Sequence, residues 1–237
     1  MYAKYRTEYN FNFKKHYEHV LKRVCVSVGM IQRNRRMLTL HMLKLLINAY
    51  VNSVTDYCLV IWGPSRVSDF KNIQSKVNEL LVIYFYPSVY KYYTKRFWRA
   101  QGNAVQAKID CDKLHGKIDY FQLLEKCNQF TVTERLEYFS AWNVYKNMKF
   151  VSPIVRLREF FSVSQTVAIC ERSTRNSNNC AVVTHNTVLF EKSVQYYSTK
   201  LWNSLPLVIK NFDTSNVSVK NELNSWILNK RENDYVS

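Results

Sequence analysis

Metal-assisted nucleotidyl transfer needs carboxylates that converge on a pair of ions about 3.5–4 Å apart. This chain of 237 residues has no adjacent pair of aspartates. Asp110 and Asp112, in IDCD, come nearest, but they fall in a stretch without a strand pattern and read as a solvated turn; Asp56 stands alone. The four glycines are too far apart to build a phosphate-cradling loop or a G-x-S-x-G nucleophile turn. Cys170, Cys180 and His185 make a C-x9-C-x4-H series that lacks both a fourth ligand and the tight first pair of a zinc site. His16 and His19, three apart, have lysines, Tyr and Glu for neighbours and no third ligand. These residues predict no catalytic centre, no metal and no cofactor.

Binding chemistry is better represented. From Tyr84 to Gln101 the chain reads YFYPSVYKYYTKRFWRAQ, with Tyr92, Tyr93 and Trp98 set among Lys91, Lys95, Arg96 and Arg99. Rings among cations suit an unpaired base, by stacking plus phosphate attraction; they equally suit a packing corner whose amphipathic tips reach water. Lys14, Lys15, Lys22 and Arg23 lie on the polar faces of a first amphipathic segment, and Arg33, Arg35 and Arg36 cluster just after it in QRNRRM. Two readings fit that run: a solvated face, or guanidinium groups placed for phosphates. Both put these side chains in water.

The net charge of +16 is uneven. Residues 1–100 hold 17 Lys/Arg against 5 Asp/Glu, whereas residues 101–237 hold 17 against 13. Such an excess favours polyanions, nucleic acid first and anionic membrane second. Six scattered cysteines and an N-terminus without an apolar signal region point to a reducing intracellular compartment, nuclear or cytoplasmic. Lys44, Asn48, Asn52 and Asp56 interrupt the most apolar stretch well short of the ~18 residues a membrane span needs, so no membrane partner is expected.

The elements that would carry these groups are mostly helical. Phe13, Tyr17, Val20, Leu21, Val24, Val28 and Ile31 predict a helix over 13–31 with Asn12 as its cap. Leu40, Leu43, Leu46, Ile47, Tyr50, Val51 and Val54 predict a second, capped by Thr39, with Lys44, Asn48 and Asn52 turned outward and Gly63-Pro64 as the stop. That segment and the apolar Tyr57, Cys58, Ile61 and Trp62 behind it are expected at the centre of the core. A third helix, capped by Ser65 or Ser68, buries Phe70, Ile73, Val77, Leu80, Leu81 and Tyr84. Thr131 to Glu134 form a capping box ahead of a helix burying Val132, Leu136, Phe139, Val144 and Met148. Beyond a polar loop around STRNSNN, CAVVTHNTVLFEKSVQYYS is rich in β-branched and aromatic residues and predicts one or two short strands. LWNSLP then forms a turn, Ser215 caps a last helix burying Val219, Leu223, Trp226 and Ile227, and RENDYVS frays.

Taken in order, these pieces carry a family resemblance. NFNFKKHYEHVLKR, LTLHMLKLLINAYVNSVTDYCLVIWG, IQSKVNELLVIYF, FTVTERLEYFSAWNVYKNM, and RSTRNSN followed by FEKSVQYYSTKLWNSLP together resemble the region after the catalytic palm in reverse transcriptases of non-LTR (LINE-type, jockey-like) retrotransposons. The most specific pieces are DYC-x3-WG from Asp56 to Gly63, STR from Ser173 to Arg175, and KLWNSLP from Lys200 to Pro206. The resemblance implies a mainly α fold: a helical thumb-like bundle over 1–162, a polar linker over 163–179, and a small α+β segment with short strands over 180–237. It also implies an RNA or DNA partner, a template/primer duplex held beside an active site whose aspartates would belong to fingers and palm preceding residue 1. The expected product is a fragment or remnant that binds nucleic acid and does not polymerise by itself. The alternative is a non-catalytic piece that docks on a separate polymerase core.

Overall fold

The computed structural model describes residues 13–86, 118–149, 179–180, 182, 187–210 and 215–236. The fold is mainly α: among the described residues every regular element is helical. By its contacts the chain divides into two units, one made of Lys14–Tyr57 and Ser68–Val132, the other of Met1–Phe13, Cys58–Val67 and Thr133–Ser237.

In the first of these, α1 (Lys14–Asn34) buries Tyr17, Val20, Val24, Val28 and Ile31, the three-and-four spacing that puts one stripe of a helix against a neighbour. Its main partner is α5 (Phe70–Phe85), which buries Phe70, Ile73, Val77, Leu80, Leu81, Val82 and Ile83. Polar groups fix the pairing at its ends. The Tyr17 hydroxyl donates to the Asp69 carbonyl at 3.0 Å and accepts from Asn72 at 3.1 Å, and the Tyr84 hydroxyl donates to the Leu38 carbonyl at 3.2 Å.

A three-residue 3-10 turn (Arg35–Met37) leads into α2 (Leu40–Leu46), whose first turn Thr39 caps by accepting from the Met42 N–H. The helix does not continue regularly. Ile47–Asn52 is a π-helical turn, followed by α3 (Ser53–Asp56). A π turn adds a residue to the repeat and so rotates everything after it. Leu43, Ile47 and Val51 are buried as their spacing predicts, but Asn52 is turned inward and Tyr50 outward, 47% exposed. The buried Asn52 amide donates to Asn48 Oδ1 and to Gln129 Oε1, both at 2.7 Å, and Gln129 Nε2 reaches Asn48 Oδ1 at 3.2 Å, which closes a polar triangle. The expectation that Asn52 faces water is thereby corrected. Gln129 follows α6 (Tyr120–Lys126), capped at its start by Asp119.

The expected stop at Gly63-Pro64 is also corrected. Backbone direction changes earlier, at Cys58, which adopts φ 53° in the left-handed region, and both Gly63 and Pro64 lie inside α4 (Leu59–Arg66). Pro64 has no N–H to offer the Val60 carbonyl, so that bond of the helix is missing, and the helix ends two residues later. Gly63 packs tightly against a side chain of α7 (Val132–Lys149): a Cβ there would lie 2.9 Å from a Leu136 methyl. Of the apolar run around Cys58, only Leu59 and Trp62 are buried among its large side chains, while Tyr57 and Ile61 are exposed. The third helix takes Asp69, not Ser65 or Ser68, at its N-cap position.

The second unit surrounds α7. Ala141, Val144 and Tyr145 pack with Cys180, Trp202, Leu205, Ile209, Val219 and Leu223. Where short strands are expected, Val188–Glu191 (α8) and Val194–Ser204 (α9) are helices, capped by Thr187 and Ser193; Cys180 makes a single isolated bridge. LWNS belongs to α9, and the turn begins only at Leu205. The last helix, α10 (Asn216–Val236), starts with Ser215 accepting from the Ser218 N–H and buries Val219, Leu223 and Ile227. It extends through the tail expected to fray, because Arg231 forms a two-pronged pair with Glu134 at 2.7 and 2.5 Å, beside the Lys230–Glu137 pair at 2.6 Å. No single helix among the described residues is long and apolar enough to cross a membrane.

Candidate nucleic-acid interface

Helix α1 sorts the basic residues of the first segment by simple geometry. At 100° per residue, Lys15, Lys22 and Arg33 leave the helix along nearly one line, opposite the buried stripe of Tyr17, Val20, Val24, Val28 and Ile31. All three are exposed. Their rise along the axis is about 10 Å from Lys15 to Lys22 and about 16 Å from Lys22 to Arg33. Glu18 interrupts this line three and four residues from the two lysines and offsets part of their field. Exposed Val26, at 65%, and Gly29, with open space where a Cβ would stand, leave its middle low and uncharged.

Lys14 and Arg23 do not join this line. Nine residues apart, they leave α1 on opposite flanks, about 180° from one another, so one straight ligand cannot meet both. Arg33 belongs to the last turn of α1, where its charge also complements the helix C-terminus. Arg35 is half-buried and donates to the Gln32 carbonyl at 3.0 Å, which satisfies one of the open carbonyls of that terminus. Arg36 is exposed beyond it. Of the arginine run, then, Arg33 and Arg36 face water and Arg35 holds the helix end.

His16 is half-buried, and burial, with His19 beside it, pushes its pKa below the ordinary value, so it adds no charge at neutral pH. Lys91, Tyr92, Tyr93, Lys95, Arg96, Trp98 and Arg99 lie outside the described residues, as do Asp110, Asp112, Cys170 and His185. Cys180 is described, and it is a packed thiol. Burial pushes its pKa up to about 12 against the pull of Lys210, and its backbone N–H and carbonyl are both held by the Asn203 amide, at 2.9 and 3.0 Å. Among the described residues no three His, Cys, Asp or Glu side chains come together as metal ligands would.

A second gathering of rings and cations stands in the other unit. On α7 the Trp142 and Tyr145 rings stack with centroids 5.4 Å apart, and the ammonium groups of Lys146 and Lys220 lie 5.5 and 5.0 Å from the Trp142 centroid. The sequence holds half of that signal, a Trp and a Lys four apart on one helix. Lys220 arrives from α10, and no local pattern announces it.

No protein-family model matches the chain, and no curated protein or solved structure is significantly similar to it.

Proposed function

We propose that the chain is a nucleic-acid-binding piece of a non-LTR-type reverse transcriptase, which grips a template/primer duplex and carries no polymerase active site. The observation that carries this reading is the outward line of Lys15, Lys22 and Arg33, set on a helix whose opposite face is locked against α5. A rigid row of cations spaced along one axis meets successive phosphates without reading bases. Counterion release then supplies the affinity, and the net charge of +12 over residues 1–100 supplies the steering. The family motifs DYC-x3-WG, STR and KLWNSLP support the polymerase-derived origin.

The triple variant Lys15→Ala/Lys22→Ala/Arg33→Ala tests it against an RNA–DNA hybrid duplex in low salt. Its affinity should fall at least roughly tenfold, with the log–log salt slope shallower by about 2–3. Unchanged affinity and slope would remove α1 from the interface. Primer extension by the intact chain with Mg2+ would overturn the absence of an active site.

A second reading has its own observation. Met37, Met42, Leu45 and Tyr50 are 83%, 49%, 53% and 47% exposed along the turn into α2 and its outer side. Apolar surface of this kind suits a docking face for a separate polymerase core. Retention of full duplex affinity by the triple variant would favour it.

A further inference from the structure

We infer that Trp142, Lys146 and Lys220 form a second contact for nucleic acid, one that takes an unpaired strand. It shares the polyanionic ligand of the proposed function but none of its residues, and it lies in the other unit.

Several lysines approach rings among the described residues, each ring other than Trp142 being met by one, and two of those lysines are already committed. Lys230 lies 5.5 Å from the Trp226 centroid but binds Glu137 at 2.6 Å. Lys149 donates to the Tyr145 hydroxyl at 2.8 Å while standing 5.3 Å from the ring centroid, which puts it out along the ring edge, away from the face. Trp142 differs. Two ammonium groups from two helices lie within 5.5 Å of its centroid, both lysines are exposed, and neither makes an ion pair among the described residues.

An indole attracts each of these cations modestly, and an anion beside them attracts both far more strongly. The ring is also well anchored: half-buried, stacked on the fully buried Tyr145 and packed against the core of its unit. A fixed indole with two ammonium groups beside it supplies the two terms that single-strand binders combine, stacking for a base and charge for the adjoining phosphates. A duplex keeps its base faces inside the stack, so only an unpaired strand can use both.

The test uses the intact chain, a 12-nucleotide oligouridylate, a blunt RNA–DNA hybrid and anionic vesicles. Lys146→Gln/Lys220→Gln should weaken oligouridylate binding roughly tenfold in low salt and leave hybrid binding unchanged. Trp142→Leu should weaken it similarly and Trp142→Phe much less, with folding of each variant checked by circular dichroism. The Lys15→Ala/Lys22→Ala/Arg33→Ala variant should show the reverse pattern. Oligouridylate affinity unaltered in Lys146→Gln/Lys220→Gln overturns this inference while leaving the duplex reading intact. Failure of the intact chain to bind oligouridylate, or dependence on Lys146 and Lys220 for vesicles alone, also overturns it. Loss of hybrid binding only in the α1 variant, with the Trp142 variants equal to the intact chain, supports the proposed function by itself.

Discussion

Single residues carry conformational costs that composition conceals. Asn128 adopts φ 56° directly after α6, where its N–H bonds the Glu125 carbonyl at 2.8 Å and the next N–H, of Gln129, bonds the Leu124 carbonyl at 2.9 Å. That is the paired pattern with which helices close on a left-handed residue. Asn128→Gly should therefore be neutral or stabilising, and Asn128→Val should cost about 1–2 kcal/mol in urea unfolding, since a β-branched side chain meets the backbone in that conformation. Lys210 is a second case. It is 3% exposed and donates to Asn179 Oδ1 at 2.8 Å and to the Asn203 carbonyl at 2.9 Å, near the end of α9. Burial lowers its pKa, against a smaller opposing effect of the Cys180 thiol. A group held below its unfolded pKa binds its proton more tightly in the unfolded chain, so stability rises with pH through the window beneath the ordinary lysine value. Thermal unfolding from pH 8 to 10 should show a larger upward trend in the intact protein than in Lys210→Met; equal trends would contradict this account of Lys210.

Elements were legible where a cap and a spacing agree. Thr39 and Ser215 are readable caps, and the buried stripes of α1, of α10 and of α5 as far as Leu81 follow from three-and-four spacing, whereas Val82 and Ile83 are buried beyond it and Tyr84 is only half-buried. Thr187 and Ser193 are equally good caps, yet the Val, Tyr and Phe around them carry a strand composition, and packing of α9 onto the Trp202 core overrides that propensity. The π turn at Ile47–Asn52 has no local signature. What holds it is Gln129, 77 residues from Asn52, so the inward turn of Asn52 is invisible until the fold is known. The same holds for Lys220 over Trp142 and for Arg231 on Glu134, 97 residues apart. Of the proposed interface, the line on α1 could be read from spacing alone, whereas the diversion of Arg35 to a carbonyl could not. Because Asn52 and Gln129 satisfy each other, Asn52→Leu and Gln129→Leu should each destabilise by about 1–3 kcal/mol. The double variant should cost clearly less than both together in a denaturant cycle. In the second unit Gly63 does comparable work: Gly63→Val should cost about 1–3 kcal/mol, because the added carbons collide with the buried Leu136 side chain.

At the scale of the whole molecule, the charge is distributed so that the proposed binding and the folding would draw on different groups. The half-buried Arg231 is answered by Glu134 and the buried Lys210 by amide and carbonyl oxygens, whereas Lys15, Lys22 and Arg33 stand outward on α1 and Lys146 and Lys220 stand beside Trp142. Neutralising the outward groups should then change affinity while leaving the melting temperature nearly unmoved, as surface charges away from packed sites usually do. The most direct measurement is the affinity of the intact chain for an RNA–DNA hybrid duplex across a series of salt concentrations. A log–log slope of about −3 or steeper is expected, because at least three phosphates should be neutralised. Binding that is undetectable in low salt, or that ignores the salt concentration, would contradict the claim that this protein holds a polynucleotide by its cationic surface.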